Sequence, residues 1–290
     1  MILVDTSYLV YFHGFGVWEW YKREFGTKHI PDDGSFDPMS DPEFKAMYKK
    51  RFLTKIYNAV QNDVVFFDRG ELVFCLDCSK KKIWRNDIFP EYKIKRKAGK
   101  KRKFSWNNIF NYTINNIIPE YQEKYGCRVF SNPVAEGDDI IAVLANHVYD
   151  HNICKDTIII TSDGDITQLS DKATIITLKG EKKTYQSVMD KKKFKEQIEW
   201  TPELFLIHKS IMGDSSDEIP PIIPGVGPKR ALKYINNIEL LEKLFVENTD
   251  AKTKFAMNTQ LIDFKFIPTE ISEDVLSQFN ATVEDKLTNL

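Results

Sequence analysis

Short apolar runs alternate along this chain with longer stretches whose apolar residues recur every three or four positions. Ile2–Val4, Leu72–Leu76, Arg128–Phe130, Thr157–Thr161 and Thr174–Leu178 are apolar and mostly β-branched, and read as buried strands. Between them, residues 43–61 carry Phe44, Met47, Phe52, Ile56 and Val60 near helical spacing. Residues 106–124 carry Trp106, Ile109, Phe110, Ile114, Ile117 and Ile118, and residues 136–149 carry Ile140, Ile141, Leu144 and Val148. Strands that alternate with helices predict an α/β fold with a central, mostly parallel sheet covered on both faces. Beyond about residue 190 the strand signal fades and the pattern turns helical, punctuated by Pro and Gly. The expected division is therefore an α/β core over 1–190 and a helical region over 191–290.

Composition changes this picture only locally. The 290 residues are 42% hydrophobic and 29% charged, enough to build a core, and the net charge of −1 gives no overall bias toward nucleic acid. Between Lys80 and Lys103, however, twelve Lys or Arg stand against only Asp87 and Glu91. Trp84, Phe89, Tyr92, Phe104 and Trp106 are interleaved with that run. Basic groups neutralise phosphates and aromatic faces stack on unpaired bases, so the segment is a candidate nucleic-acid contact through Arg85, Tyr92 and Lys95. With so little apolar content, Lys97–Arg102 is expected to stay mobile until DNA orders it. The four cysteines make no disulfide framework, and Cys75-x-x-Cys78 lies in an apolar strand without the second pair a zinc site needs. No basic leader and no apolar run near ~20 residues is present, so a cytoplasmic chain without a membrane span is expected.

The acids are more informative. Each strand signal runs into carboxylates: Asp5 after the first, Asp77 after the second, Asp163 and Asp165 after "TIIITS". "EGDD" places Glu136, Asp138 and Asp139 at a helix start, and Asp214 and Asp217 repeat the three-residue spacing. In an open parallel sheet the carboxyl ends of the strands line one edge, where ligands bind. Taken singly, each acid is an ordinary helix cap or turn residue. Nine on one edge repel one another unless cations neutralise them, and oxygen donors without His or Cys select Mg²⁺ or Mn²⁺. So large a set suits two ions, the arrangement that activates a water in phosphodiester hydrolysis.

Six motifs in order then resemble the flap endonuclease / 5′-nuclease family: Asp5 on the first strand, Asp77 after "LVFCL", "WRNDIFPEYKIKR", "EGDDIIAVLA", "TSDGDITQL" and "GDSSDEIPPIIPGVGPKRA". The resemblance covers most of residues 1–235. It implies a PIN-like 5′-nuclease fold with a helical arch at about 80–105 and a helix–three-turn–helix at about 205–235. It also implies that the nine acids bind two or more divalent ions and that Lys93 and Arg96 act on the scissile phosphate. In the last motif, Gly225 and Gly227 would let backbone N–H groups approach phosphates. Pro228 would open a helix whose positive N-terminus, with Lys229 and Arg230, holds an anion. Further implied are a potassium ion at that motif, DNA or RNA–DNA hybrid as substrate, a monomer working near replication-fork proteins, and the cytoplasm of a bacterium or a phage-infected host. Two departures stand out: Gly137 and Gly164 replace the more usual Ala and basic residue, and Pro221 stands where Gly is usual. A PIN-like single-strand ribonuclease and a non-catalytic DNA-structure binder remain the alternatives. A covalent-aspartate phosphatase does not, because Ile166 and Thr167 break the D-x-D-x-T pattern.

Overall fold

The computed structural model describes residues 1–31, 33–60, 71–94, 106–190 and 199–288, with side chains described as far as residue 281. Lys95, Arg96, the Lys97–Arg102 stretch expected to be mobile, and the Lys191–Lys193 run lie outside the described residues. Five parallel strands, β1 (Ile2–Asp5), β2 (Leu72–Leu76), β3 (Arg128–Ser131), β4 (Ile158–Ile160) and β5 (Thr174–Ile176), form one sheet in the order β3-β2-β1-β4-β5. The order reverses between β1 and β4, which opens a crevice at the carboxyl ends of those two strands. Asp5 and Asp163 stand at that crevice.

The helices are α1 (Thr6–Phe25), α2 (Pro42–Ala59), α3 (Arg85–Ile88), α4 (Trp106–Tyr112), α5 (Ile118–Tyr125), α6 (Gly137–Asp150) and α7 (Tyr185–Asp190). They continue with α8 (Pro202–Met212), α9 (Pro228–Asn236), α10 (Ile238–Glu247), α11 (Thr249–Ile262) and α12 (Thr269–Thr288). A π turn over Thr113–Ile117 joins α4 to α5, so the single helix predicted over 106–124 carries a bulge. There Thr113 Oγ1 donates to Ile109 O at 2.8 Å and pairs with the hydroxyl of buried Tyr48.

Side chains alternate across the strands as the two-residue period demands. Ile2, Val4, Leu72, Phe74, Ile160 and Ile176 pack with α1, α2 and α4 on one face. Leu3, Val73, Cys75, Ile159 and Ile175 pack with α6 on the other. Phe74 is wholly buried, and its truncation to Ala removes contacts worth about 3–5 kcal/mol. The aromatic run at 15–25 is mostly core, with Val17, Trp18 and Tyr21 buried in α1, while Phe15 and Phe25 stay half exposed. Ile271, Val275 and Phe279 of α12 return to the sheet and join the core beneath α6. Among the described residues, no helix is long and apolar enough to cross a membrane.

Candidate metal and nucleic-acid site

β1 runs directly into α1, and Asp5 caps that helix by accepting from Tyr8 N at 2.8 Å. Asp77, just past β2, accepts from Gly137 N at 2.7 Å at the start of α6, and from Ser7 Oγ. Two helix N-termini therefore point at the same edge and favour negative charge there. A Cβ at Gly137 would stand 3.2 Å from both Asp77 Oδ1 and Cys75 O, so the glycine lets α6 start close against β2. Thr161 links the strands across the crevice: Asp163 N donates to its hydroxyl at 3.0 Å, and the hydroxyl donates to Asp5 Oδ2 at 2.9 Å.

These acids have few donors. Loss of water around Asp5 and the negative charge of Asp77 push its carboxyl up to about 7, against the Tyr8 and Thr161 bonds. Asp138 is raised well above the usual range by the same loss of water and then by Asp163 and Asp5. Asp165 is pushed up to about 6, mainly by burial, even though Lys209 pulls it down. In each case burial contributes most to the rise, and the charge of neighbouring acids adds to it.

Neighbouring acids are fully answered. Asp139 is wholly buried; Arg85 grips it with two nitrogens at 2.9 and 2.7 Å, and Trp84 Nε1 and Glu136 N each donate to it at 3.0 Å. Glu136 accepts from Arg85 at 3.2 Å, Tyr92 at 2.9 Å and Lys93 at 2.5 Å. Lys93 Nζ also lies 3.3 Å from Asp217, whose carboxylate is 3.2 Å from the Tyr92 hydroxyl. Lys93 takes a left-handed backbone, φ 54°, that L residues rarely adopt, and its own N–H donates to Asp217 O. That turn aims its ammonium inward.

Three of the expected site residues sit among protein partners. Arg85 is 4% exposed and saturated by carboxylates and by Leu261 O, so it shapes the edge from inside and presents nothing to DNA. Tyr92 is buried as well, with its hydroxyl among the acids rather than its ring open to a base. Asp139 is held by four donors, three on Oδ2 and one, from Arg85, on Oδ1. Sequence reading missed Lys209, whose ammonium bridges Asp165 and Asp214, the latter at 2.7 Å. Asp214 is lowered to about 2: burial works against it, but Lys209 and Ser216 outweigh burial. Its signal was available, since Lys209 lies one helical turn before Asp214 in "HKSIMGD".

Among the described residues, no group of three or more acids, histidines or cysteines is set to hold a metal ion as it stands. Lys93 and Lys209 take carboxylate oxygens instead. Glu136, Asp138, Asp163, Asp165 and Asp217 nonetheless line one cleft, whose free space of ≈ 20 Å³ fits about one water or ion.

The hairpin of the last motif lies between α8 and α9. Gly213 leaves α8 with φ 67°, and a Cβ there would sit 2.3 Å from Ile219 O. Gly225 is exposed with φ 73°, whereas Gly227 is extended and caps α9 with open space where a Cβ would stand. Lys229 and Arg230 are exposed in the first turn of α9. Nothing brings these four residues into the acidic cleft; they form a separate surface.

Open parallel sheets bind ligands at such a switch point, and oxygen donors suit hard divalent ions. The chain belongs to the 5′-3′ exonuclease, N-terminal resolvase-like domain family, whose model matches residues 44–199, just over half of it. A 5′-3′ exonuclease of Mycoplasmopsis pulmonis is 29% identical over 211 residues, 71% of this chain and 66% of that protein. DNA polymerase I of Bacillus subtilis is 33% identical over 205 residues, 70% of this chain but 20% of that protein. The chain thus spans between a fifth and about two thirds of these relatives. In fold it is similar to a T5 5′-exonuclease with bound zinc, at 18% identity and TM-score 0.60 over 99% of this chain and 98% of that one. It is similar also to a T5 D15 flap endonuclease solved with DNA and metal ions, at 17% identity and TM-score 0.58 over 98% and 97%.

Proposed function

We propose that this chain is a structure-specific 5′-nuclease that hydrolyses phosphodiester bonds near the 5′ ends of branched, flapped or nicked DNA with the help of divalent ions. The observation that carries the proposal is the crevice between β1 and β4, where Asp5 and Asp138 are held above their ordinary range by burial and by the charge of neighbouring acids. A divalent cation relieves that repulsion, and the donor set fits a hard ion, Mg²⁺ or Mn²⁺. Asp5, Asp77, Asp138, Asp163 and Asp165 are the residues to hold it, with Glu136, Asp214 and Asp217 supporting from the rim. When bound, such ions polarise the phosphate and make water a stronger nucleophile.

The chain's own residues do the remainder. Lys93 stands at the base of the basic segment, and with Arg96 it stabilises the charge that grows on the attacked phosphate. To do so it leaves Glu136 and Asp217, which then face the incoming ions. Gly225, Gly227, Lys229, Arg230 and the N-terminus of α9 hold phosphates away from the cut, so the grip is indifferent to sequence. Phosphate-only contacts also admit RNA–DNA hybrids, and a potassium ion at the hairpin belongs to the same reading. So does work as a monomer beside fork proteins, a setting supported by the likeness to DNA polymerase I.

Cleavage of end-labelled flap, nicked and hybrid duplexes tests this. Short 5′ products are expected with Mg²⁺ or Mn²⁺ and none in EDTA. Undiminished cleavage after metal removal sinks the mechanism, and cutting of single-stranded RNA alone points to a ribonuclease.

A further inference from the structure

The sequence leaves residues 236–290 without a role, but α11 touches both halves of the site. A helix ends on backbone carbonyls that no further turn satisfies. At the end of α11 two of them accept side chains from the α/β core: Arg85 Nε donates to Leu261 O at 2.8 Å, and Gln168 Nε2 to Ile262 O at 3.0 Å. Arg85 is the residue that fixes Asp139 and Glu136, and Gln168 lies in the short helical turn that begins at Asp165. One turn earlier α11 reaches the other way. Asn258 is wholly buried, and its amide donates to Ser210 O at 2.9 Å and to Pro220 O at 2.8 Å. Ile83, Tyr92, Ile219, Leu261 and Ile262 fill the space between these bonds as one apolar cluster.

Pro220 begins the hairpin that carries the phosphate grip. With prolines at 220, 221, 224 and 228, that hairpin has few N–H groups with which to hold itself. Ile222 N ties the hairpin to α8 through Ile211 O at 3.0 Å, and the tie to α11 comes from Asn258. Its own Oδ1 is buried with no partner among the described residues, a desolvation cost that a plain packing residue would avoid.

We propose that Asn258 is a positioning residue that fixes the distance between the hairpin and the acidic crevice, and so selects which phosphodiester bond is cut. This rests on the nuclease reading above. Successive phosphates of one strand advance by about 3.4 Å along a duplex, so slack of that order brings a neighbouring bond to the crevice. The bond at Pro220 and the bond at Leu261 are made by one rigid helix, which leaves little slack.

Two variants test it in the full chain: Asn258→Ala, and Asn258→Leu, which restores volume but not the amide. The first readout is product length on a 5′-labelled flap duplex with Mg²⁺ at single turnover. The second is amide hydrogen exchange of the DNA-free protein. In both variants cuts at bonds beside the principal one are expected to rise about threefold or more, with affinity for the flap in Ca²⁺ changed less than that. Amides of Ile222 and Val226 are expected to exchange about tenfold faster while those of β1, β2 and β4 do not change. Wild-type product lengths in both variants, or in Asn258→Leu alone, overturn the proposal and leave Asn258 a packing residue. If the unmodified chain cuts none of the DNAs, the nuclease reading fails and the cut-site role with it. Hydrogen exchange then still reports whether Asn258 holds the hairpin.

Discussion

Glu136 and Asp138 sit two residues apart at the start of one helix, yet they belong to opposite kinds of environment. The side that holds Glu136, Asp139 and Asp217 is threaded by Arg85, Tyr92 and Lys93, and every one of its acids has a protein donor. The side that holds Asp5, Asp138 and Asp163 has two helix N-termini and a threonine, and the pull of Lys93 on Asp138 does not outweigh burial and the neighbouring acids. Acids of the first kind keep the edge in shape. Those of the second kind leave it short of positive charge, the shortage that the proposed metal ion would answer.

The contrast is broken most severely at Asp138. Asp138→Asn removes one of the crowded charges, and cleavage with Mg²⁺ is expected to fall about 1,000-fold, or roughly 4 kcal/mol of transition-state stabilisation. The same change is expected to raise the melting temperature in EDTA, because it relieves repulsion from Asp163 and Asp5. A lower melting temperature in EDTA would place Asp138 with the structural acids instead.

Arg85→Ala is the converse experiment. It strands Asp139 and Glu136, both buried, and breaking such a pair costs about 3–5 kcal/mol. Urea unfolding in EDTA measures this directly. A loss below about 1 kcal/mol, the range of an exposed pair, would show that the Arg85 side is not the rigid half.

The comparison extends to a buried base. His13 is wholly buried, its Nε2 is 2.7 Å from Tyr48 O, and its Nδ1 has no partner among the described residues. Burial lowers it to about 4, with Lys55 and Arg51 adding to that and the Tyr48 bond opposing it. The unfolded chain takes up this proton near pH 6.5, whereas the folded one does not until about 4. Stability is therefore unaffected above 6.5 and is lost as pH falls from 6.5 toward 4, by at most roughly 3 kcal/mol. His13→Leu is expected to flatten that part of the stability curve measured by urea unfolding; an unchanged slope would refute it.

The parallel sheet was legible because the strands are short runs rich in aliphatic and aromatic residues, and all five fall within two residues of expectation. The acidic edge was legible because carboxylates follow strand ends at a spacing topology brings together. What the spacing does not carry is the answering charge. Asp138 and Asp139 are adjacent and look alike, and it is chiefly Arg85, 54 positions before Asp139, with Trp84 beside it, that tells them apart. Arg85 in turn looks like a surface base, because its neighbours in sequence are basic and its partners are far away. Likewise nothing local to "TQLIDF" announces that α11 receives Arg85 and Gln168. Those roles depend on long-range packing, to which a periodicity reading is blind.

The smallest effect separates the two kinds of lysine. Lys93 is inside and paired with Glu136 and Asp217, whereas Lys229 is exposed at the start of α9. A phosphate bound at Lys229 lies far from the chemistry, so it contributes equally to bound substrate and to transition state. Lys229→Ala is expected to weaken DNA binding a few-fold and to leave the saturated single-turnover rate unchanged. Because one phosphate contact is lost, the slope of log affinity against log salt falls in size by about one unit. Binding titrations in Ca²⁺ at several salt concentrations measure both quantities. An unchanged slope together with a lower saturated rate would move Lys229 from the grip to the crevice, and the two surfaces would then have to be treated as one.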